Sequence, residues 1–252
     1  MSGHSKWSQI KHKKGKEDAK RGQLFSRLSR AITVAAKAGG NPETNAVLEA
    51  EVQKAKDYNM PNDSIERAIK RGTGEIGGVH FEQIVYEGYG PQGVAMLVSV
   101  MTDNRNRAAA DMRSIFTHNN GNLAELGSVS WIFEKKGNIL VDKTPEIEED
   151  TLFSAVVEAG AEDMQAHEDH WEITTSPQDL TKVRKLIEEQ GITVTSAEIT
   201  MLPKNTVKLG KNEAKKVLRL INALEEHEDV QEVYANFDIP DEILEEVAAE
   251  AA

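Results

Sequence analysis

Between residues 17 and 72 apolar side chains recur every third or fourth position. Leu24, Phe25, Leu28, Ile32, Ala35 and Ala36 make one stripe, which predicts an amphipathic helix ending at Gly39-Gly40, where glycine tolerates a left-handed backbone. Asn45 is placed to cap a second helix with Leu48, Val52 and Ala55 inward. Asn62 or Asp63 can cap a third, with Ile65 and Ile69 inward and Gly72 at its end. Three short helices on short loops predict a small helical domain, and "GTGEIGG" (72–78) then reads as a linker.

Beyond residue 80 the period changes. "QIVYEGYGPQGVAMLVSVMTD" predicts two strands joined by a turn, "RNRAAADMRSIFTHNN" a helix, and "SVSWIFEKK" another strand. "GNILVD", "EEDTLFSAVVEAG", "EDMQAH", "HWEITTS", "PQDLTKVRKLIEEQ" and "ITVTSAEITML" follow as strand, helix, strand, strand, helix, strand. A helix, "KNEAKKVLRLINALEEH", and a strand, "VQEVYANF", close the pattern before a short acidic tail. The order β-α-β-β-α-β over 137–202 is a complete ferredoxin-like unit. The flanking segments complete each other if that unit is an insertion. The expectation is therefore an α+β protein of three domains. A helical bundle (1–78) precedes two ferredoxin-like α/β domains, a discontinuous one (79–136 and 203–240) and an inserted one (137–202), with an acidic tail at 241–252.

Composition narrows the function. The 252 residues contain no cysteine, which removes thiol nucleophiles, disulfides and Cys-based zinc sites and fits a reducing compartment. No apolar run is long enough to span a membrane. The start of the chain lacks the apolar core of a signal peptide, and its basic stretch runs straight into a patterned helix. A cytoplasmic location without membrane partners is expected.

The formal charge is −12, yet it is unevenly placed. Residues 1–80 carry 15 Lys/Arg and 9 Asp/Glu, while residues 81–252 carry 15 and 33. Binding answers to the field within a Debye length of about 8–10 Å, so the two ends behave as differently charged surfaces. Residues 3–30 alone hold nine Lys/Arg against Glu17 and Asp18. On a helical wheel Lys13, Lys16, Lys20 and Arg27 fall within about 60°, away from Leu28 and Ile32. Such a segment can release counterions from a polyanion, and Trp7 in its midst can stack on an exposed base. His4 and His12 lie in the same segment without a third metal ligand near them.

The other motifs carry less. Gly88-Tyr-Gly90-Pro-Gln-Gly93 matches a dinucleotide fingerprint in letters only. Pro91 removes a donor and the β-branched "VAMLVSV" follows instead of a helix, so a hairpin turn is expected. His167 and His170 in "HEDH" lie between two strands and lack cysteine or a third ligand, which favours a surface turn over a metal site. No catalytic constellation is recognisable, so an enzyme is not expected and no cofactor is implied. In "TDNRNRAAADMR", Thr102, Asp103 or Asn104 can cap a helix. Arg105, Arg107 and Arg113 beside that N-terminus are a candidate phosphate contact in an otherwise acidic half.

Five stretches together carry a family resemblance: "GHSKW…IKHKK…DAKRG…F" (3–25), "NMPNDSIERAIKRG" (59–72), "YEGYGPQGVA" (86–95), "TDNRNR" (102–107) and "GSVSWIF" (127–133). In these the chain resembles the YebC/PmpR family. The resemblance implies a non-enzymatic bacterial DNA-binding transcriptional regulator; mitochondrial relatives look like translational activators, and a ribosome link is implied as well. Carried onto this chain, the nucleic-acid residues would be Lys6, Lys11, Lys13, Lys14, Lys16, Lys20 and Arg21, with Arg105 and Arg107 secondary. Trp7, His12 and Arg27 join them from the reading of the basic segment. The expected partner is nucleic acid, either DNA or ribosomal RNA in the ribosome. The acidic α/β domains would be free to meet protein partners, and a protein-binding or ligand-sensing scaffold is the remaining alternative.

Overall fold

The structure, a computed structural model, describes residues 18–250 except Val79, Glu146 and Glu168; the side chains of 18–21, 241, 245 and 248–250 are also outside the description. The chain divides into two units. Of the described residues, one unit holds Trp131–Thr206, and the other joins those up to Ser130 with those from Val207 onward.

In the larger unit the helical segment comes first, as α1 (Asp18–Ala35), α2 (Ala46–Asp57) and α3 (Asn62–Gly72). Leu28 and Ile32 of α1 meet Leu48, Val52 and Ala55 of α2 and Ile65 and Ala68 of α3 in one buried cluster. The stripe read from the sequence is thus the core. Asn45 serves two helices at once. Its Oδ1 accepts from the Leu48 N–H at 3.1 Å, capping α2, and its Nδ2 donates to the carbonyls of Ala35 at the end of α1 and of Gly39 beyond it. At the start of α3 neither expected cap is used. Pro61 holds the N-cap position, and its carbonyl takes the Ser64 and Ile65 N–H groups. Gly72 is required by close packing, because a Cβ there would lie 2.4 Å from the Thr33 carbonyl oxygen of α1.

The rest of that unit is a four-stranded antiparallel sheet built from β1 (Glu82–Tyr89), β2 (Ala95–Thr102), β3 (Asn122–Leu123) and β9 (Val230–Ala235), in the order β3-β1-β2-β9. Helices α4 (Arg105–His118) and α7 (Lys211–Glu225) bury Met112, Phe116, Val217, Leu220, Ile221 and Leu224 against Met96, Val98 and Val100 of β2. The turn between β1 and β2 contains Gln92 (φ 63°) and Gly93 (φ 75°), so the Gly-rich string is a hairpin turn. The chain closes with β8 (Val207–Lys208) paired parallel to β10 (Phe237–Asp238), and with α8 (Asp241–Glu250).

The smaller unit runs β4 (Phe133–Asp142), α5 (Glu149–Ala159), β5 (Ala161–Ala166), β6 (His170–Thr175), α6 (Leu180–Glu189), β7 (Val194–Pro203). Its sheet order β5-β6-β4-β7 is that of a split-βαβ, ferredoxin-like fold. The larger unit's sheet has a different order, so it is α+β without being a second copy of this one. One element differs from the sequence reading. "SVSWIFEKK" and "GNILVD" are not two strands, because Ser130–Ile132 is a 3-10 turn and Phe133–Asp142 is one continuous strand. Gly137, taken as the first residue of the second of those strands, lies inside the continuous one, where a Cβ would come within 2.2 Å of Thr175 Oγ1.

Candidate nucleic-acid interface

The residues proposed from sequence separate sharply once placed. Lys6, Trp7, Lys11, His12, Lys13, Lys14 and Lys16 lie outside the described residues. Lys20 and Arg21 belong to α1, but their side chains are not among those described.

Arg27 is engaged within the fold. The wheel sets it opposite the helical core, which suggested a solvent-facing cation. That face of α1 instead meets the end of α7. Gln23, Arg27 and Arg30, one and two turns apart, donate to the carbonyls of Glu226, Glu225 and Glu228 respectively, the Gln23 contact being 3.0 Å. The last carbonyls of a helix lack intrahelical donors and carry the negative end of its dipole, so Gln23 and Arg27 satisfy both needs, while Arg30 reaches the turn that follows the helix. Burial lowers the Arg27 pKa from its ordinary value, with Glu225 pulling it back up.

Arg107 is also engaged within the fold. Its guanidinium sits 2.8 Å from Asp103 and 3.0 Å from Asp229. Asp229, on the segment entering β9, has a side chain only 2% exposed and also accepts from Thr102 Oγ1 at 2.9 Å and from Arg30 at 3.2 Å. One buried carboxylate therefore receives an arginine from α1 and another from α4. The hydrogen bonds that Arg107 donates to Asp229 and then to Asp103 hold its pKa above its ordinary value. The N-terminus of α4 is fixed as well, by Asn104 accepting from the Arg107 N–H at 3.1 Å, as one of the three expected caps. Arg105 remains open, 69% exposed and 3.9 Å from Glu82. Arg113 is exposed on the same helix.

Two clusters elsewhere hold no such surface. Glu87 of β1, 3% exposed, accepts from the N–H groups of Gly127, Val129 and Ser130 at 2.7–2.9 Å. Burial raises its pKa, but these donors more than offset that and leave the carboxyl below its ordinary value. In the smaller unit His167 and His170 stack at 4.7 Å, because the His167 N–H to His170 carbonyl bond closes a tight turn. Among the described residues no group of three or more His, Cys, Asp or Glu could hold a metal ion.

Sequence reasoning missed Arg67 and Arg71. They project from α3 four residues apart, both exposed, with no ion pair or hydrogen bond among the described residues. Their signal was an i, i+4 arginine pair with Ser64 one turn earlier.

Comparison with known proteins decides the family. Residues 5–75 match the TACO1/YebC protein N-terminal domain, and residues 81–237 match the TACO1/YebC second and third domain. The chain belongs to the TACO1/YebC family. A relative from Halothermothrix orenii, named a probable transcriptional regulatory protein, is 57% identical over 99% of this chain and all of its own length. One from Rubrobacter xylanophilus with the same name is 58% identical over 98% of this chain and all of its own. Among solved structures, a conserved hypothetical protein of Aquifex aeolicus is 48% identical, with a TM-score of 0.80 over 90% of this chain and 94% of that one. The resemblance read from five short motifs therefore extends along the TACO1/YebC domains as a whole.

Proposed function

We propose that this chain is a cytoplasmic, nucleic-acid-binding regulator of gene expression that catalyses no reaction. The observation that carries this reading is the charge partition, nine Lys/Arg within residues 3–30 at the head of an acidic chain. It is supported by full-length relatives named as probable transcriptional regulatory proteins. Lys6, Lys11, Lys13, Lys14, Lys16, Lys20 and Arg21 meet phosphates. His12 supplements them, Trp7 stacks on a base, and Arg105 is an outlying contact. Arg27 and Arg107 leave the set because their guanidinium groups serve the α1–α7 and α1–α4 contacts. The acidic α/β parts repel the polyanion and are free to meet proteins. Within the same proposal the chain is organised as three domains, with 137–202 inserted between 79–136 and 203–240. No helix of the described residues is long and apolar enough to cross a membrane.

A second reading, an RNA- or ribosome-associated translation factor, is favoured by one feature. The arginine-bearing N-terminus of α4 is tied down by Asn104 and Asp229, so it does not offer a helix end free to enter a major groove. Co-sedimentation with ribosomes, using the wild type and a variant with Lys11, Lys13, Lys14 and Lys16 changed to Glu, separates the readings. Co-sedimentation that disappears in the variant selects the ribosome. Protection of one promoter region at 150–200 mM salt, without ribosome binding, selects DNA.

A further inference from the structure

Between α1 and α3 runs an open groove of about 360 Å³, within the range of sites that hold a small ligand. Ser26 and Ser29 line it from α1, and Ser64, Arg67 and Arg71 from α3, with Phe25 and Phe81 among its walls. None of the described residues that line it is acidic. Arg30 also reaches it, with its guanidinium 5.4 Å from the centroid of the Phe81 ring while it pairs with Asp229. Arg67 and Arg71 have no such partner, and the hydroxyls of Ser29 and Ser64 make no side-chain hydrogen bond among the described residues.

This combination is specific in its chemistry. Guanidinium forks match phosphate oxygens two at a time, and free hydroxyls complete the shell or reach a sugar hydroxyl. Aromatic rings and a guanidinium plane give a base somewhere to stack. A free phosphate would leave the aromatic walls unused, and a base still stacked inside a duplex could not reach them. We infer that the α1–α3 groove binds one unstacked nucleotide of a single-stranded nucleic acid, with Arg67 and Arg71 on its phosphate and the Phe25/Phe81 side against its base. The inference rests on the nucleic-acid reading above and adds a structured site to the basic segment.

Fluorescence anisotropy of the full chain tests it, with a short labelled RNA strand, the DNA strand of the same sequence and the corresponding DNA duplex. The Arg67→Ala/Arg71→Ala variant is expected to bind single strands about tenfold or more weaker, with the log–log salt slope shallower by about 1.4. Ser29→Leu/Ser64→Leu, which fills the groove without changing charge, is expected to weaken strand binding with little change of slope. Both should leave duplex binding less affected, and thermal unfolding shows whether each variant is folded. Tighter binding of RNA than of DNA assigns the hydroxyls to the 2′-OH, and equal binding assigns the site to phosphate and base alone; either supports the site. Folded groove variants that bind strands like wild type overturn the inference. If the lysine-to-Glu variant of the basic segment loses binding in that case, the regulator reading survives. An equal loss on duplex and strand overturns the unstacked-nucleotide assignment. A wild type that binds none of the three probes overturns both readings.

Discussion

Two arginine groups of the larger unit make opposite use of the same side chain. Arg30 and Arg107 converge on Asp229, a carboxylate 2% exposed, and join α1 to α4. Arg67 and Arg71, on the outer side of the same helical segment, face an open groove. Counting positive residues along the chain treats all four alike. Packing separates them, since a guanidinium already on a buried carboxylate has little left for a phosphate, whereas an unpaired exposed one is available for it.

The largest effect is expected where that comparison is broken at its buried end. Asp229→Ala leaves two arginines facing each other without their shared acceptor and should cost about 3 kcal/mol in chemical denaturation. Arg107→Ala should cost clearly less, because its side chain is 44% exposed and Asp229 keeps Arg30 and Thr102. If Arg107→Ala instead weakens nucleic-acid binding with no loss of stability, the separation between the two groups fails. Glu87→Gln should cost about 1–2 kcal/mol, since three backbone N–H groups lose a charged acceptor. Because the folded carboxyl lies below its ordinary value, its contribution is complete above about pH 4.3 and fades as pH falls through the folded value. Acid unfolding curves of the Gln variant should therefore be less steep on that side. Arg105→Ala is the smallest change, with unaltered stability and a salt slope shallower by at most about 0.9, the share of a single phosphate.

The helical segment was readable because its signals are local. The stripe through Leu28 and Ile32 and the cap at Asn45 each act within a turn or two, so periodicity and residue type were enough. Gly137 misled because a glycine needed for close packing under Leu180 and Thr175 looks in sequence like the start of a new strand. The fate of Arg27 could not be read from a wheel, since the carbonyl it caps is 198 residues away. Asp229 sits in "EEHEDV" among other acids, and nothing local marks it as the buried one. The arginine pair of α3 was visible in "SIERAIKRG", but only the facing serines of α1 turn it into a site.

The central claim is that the basic N-terminal residues hold nucleic acid. A salt titration of RNA-strand binding by the full chain and by the Lys11→Glu/Lys13→Glu/Lys14→Glu/Lys16→Glu variant tests it most directly. The account predicts a wild-type log–log slope of about −4 to −6, and a variant whose affinity at 150 mM salt falls at least about a hundredfold with a slope shallower by about 3. A variant with wild-type affinity and slope would contradict it.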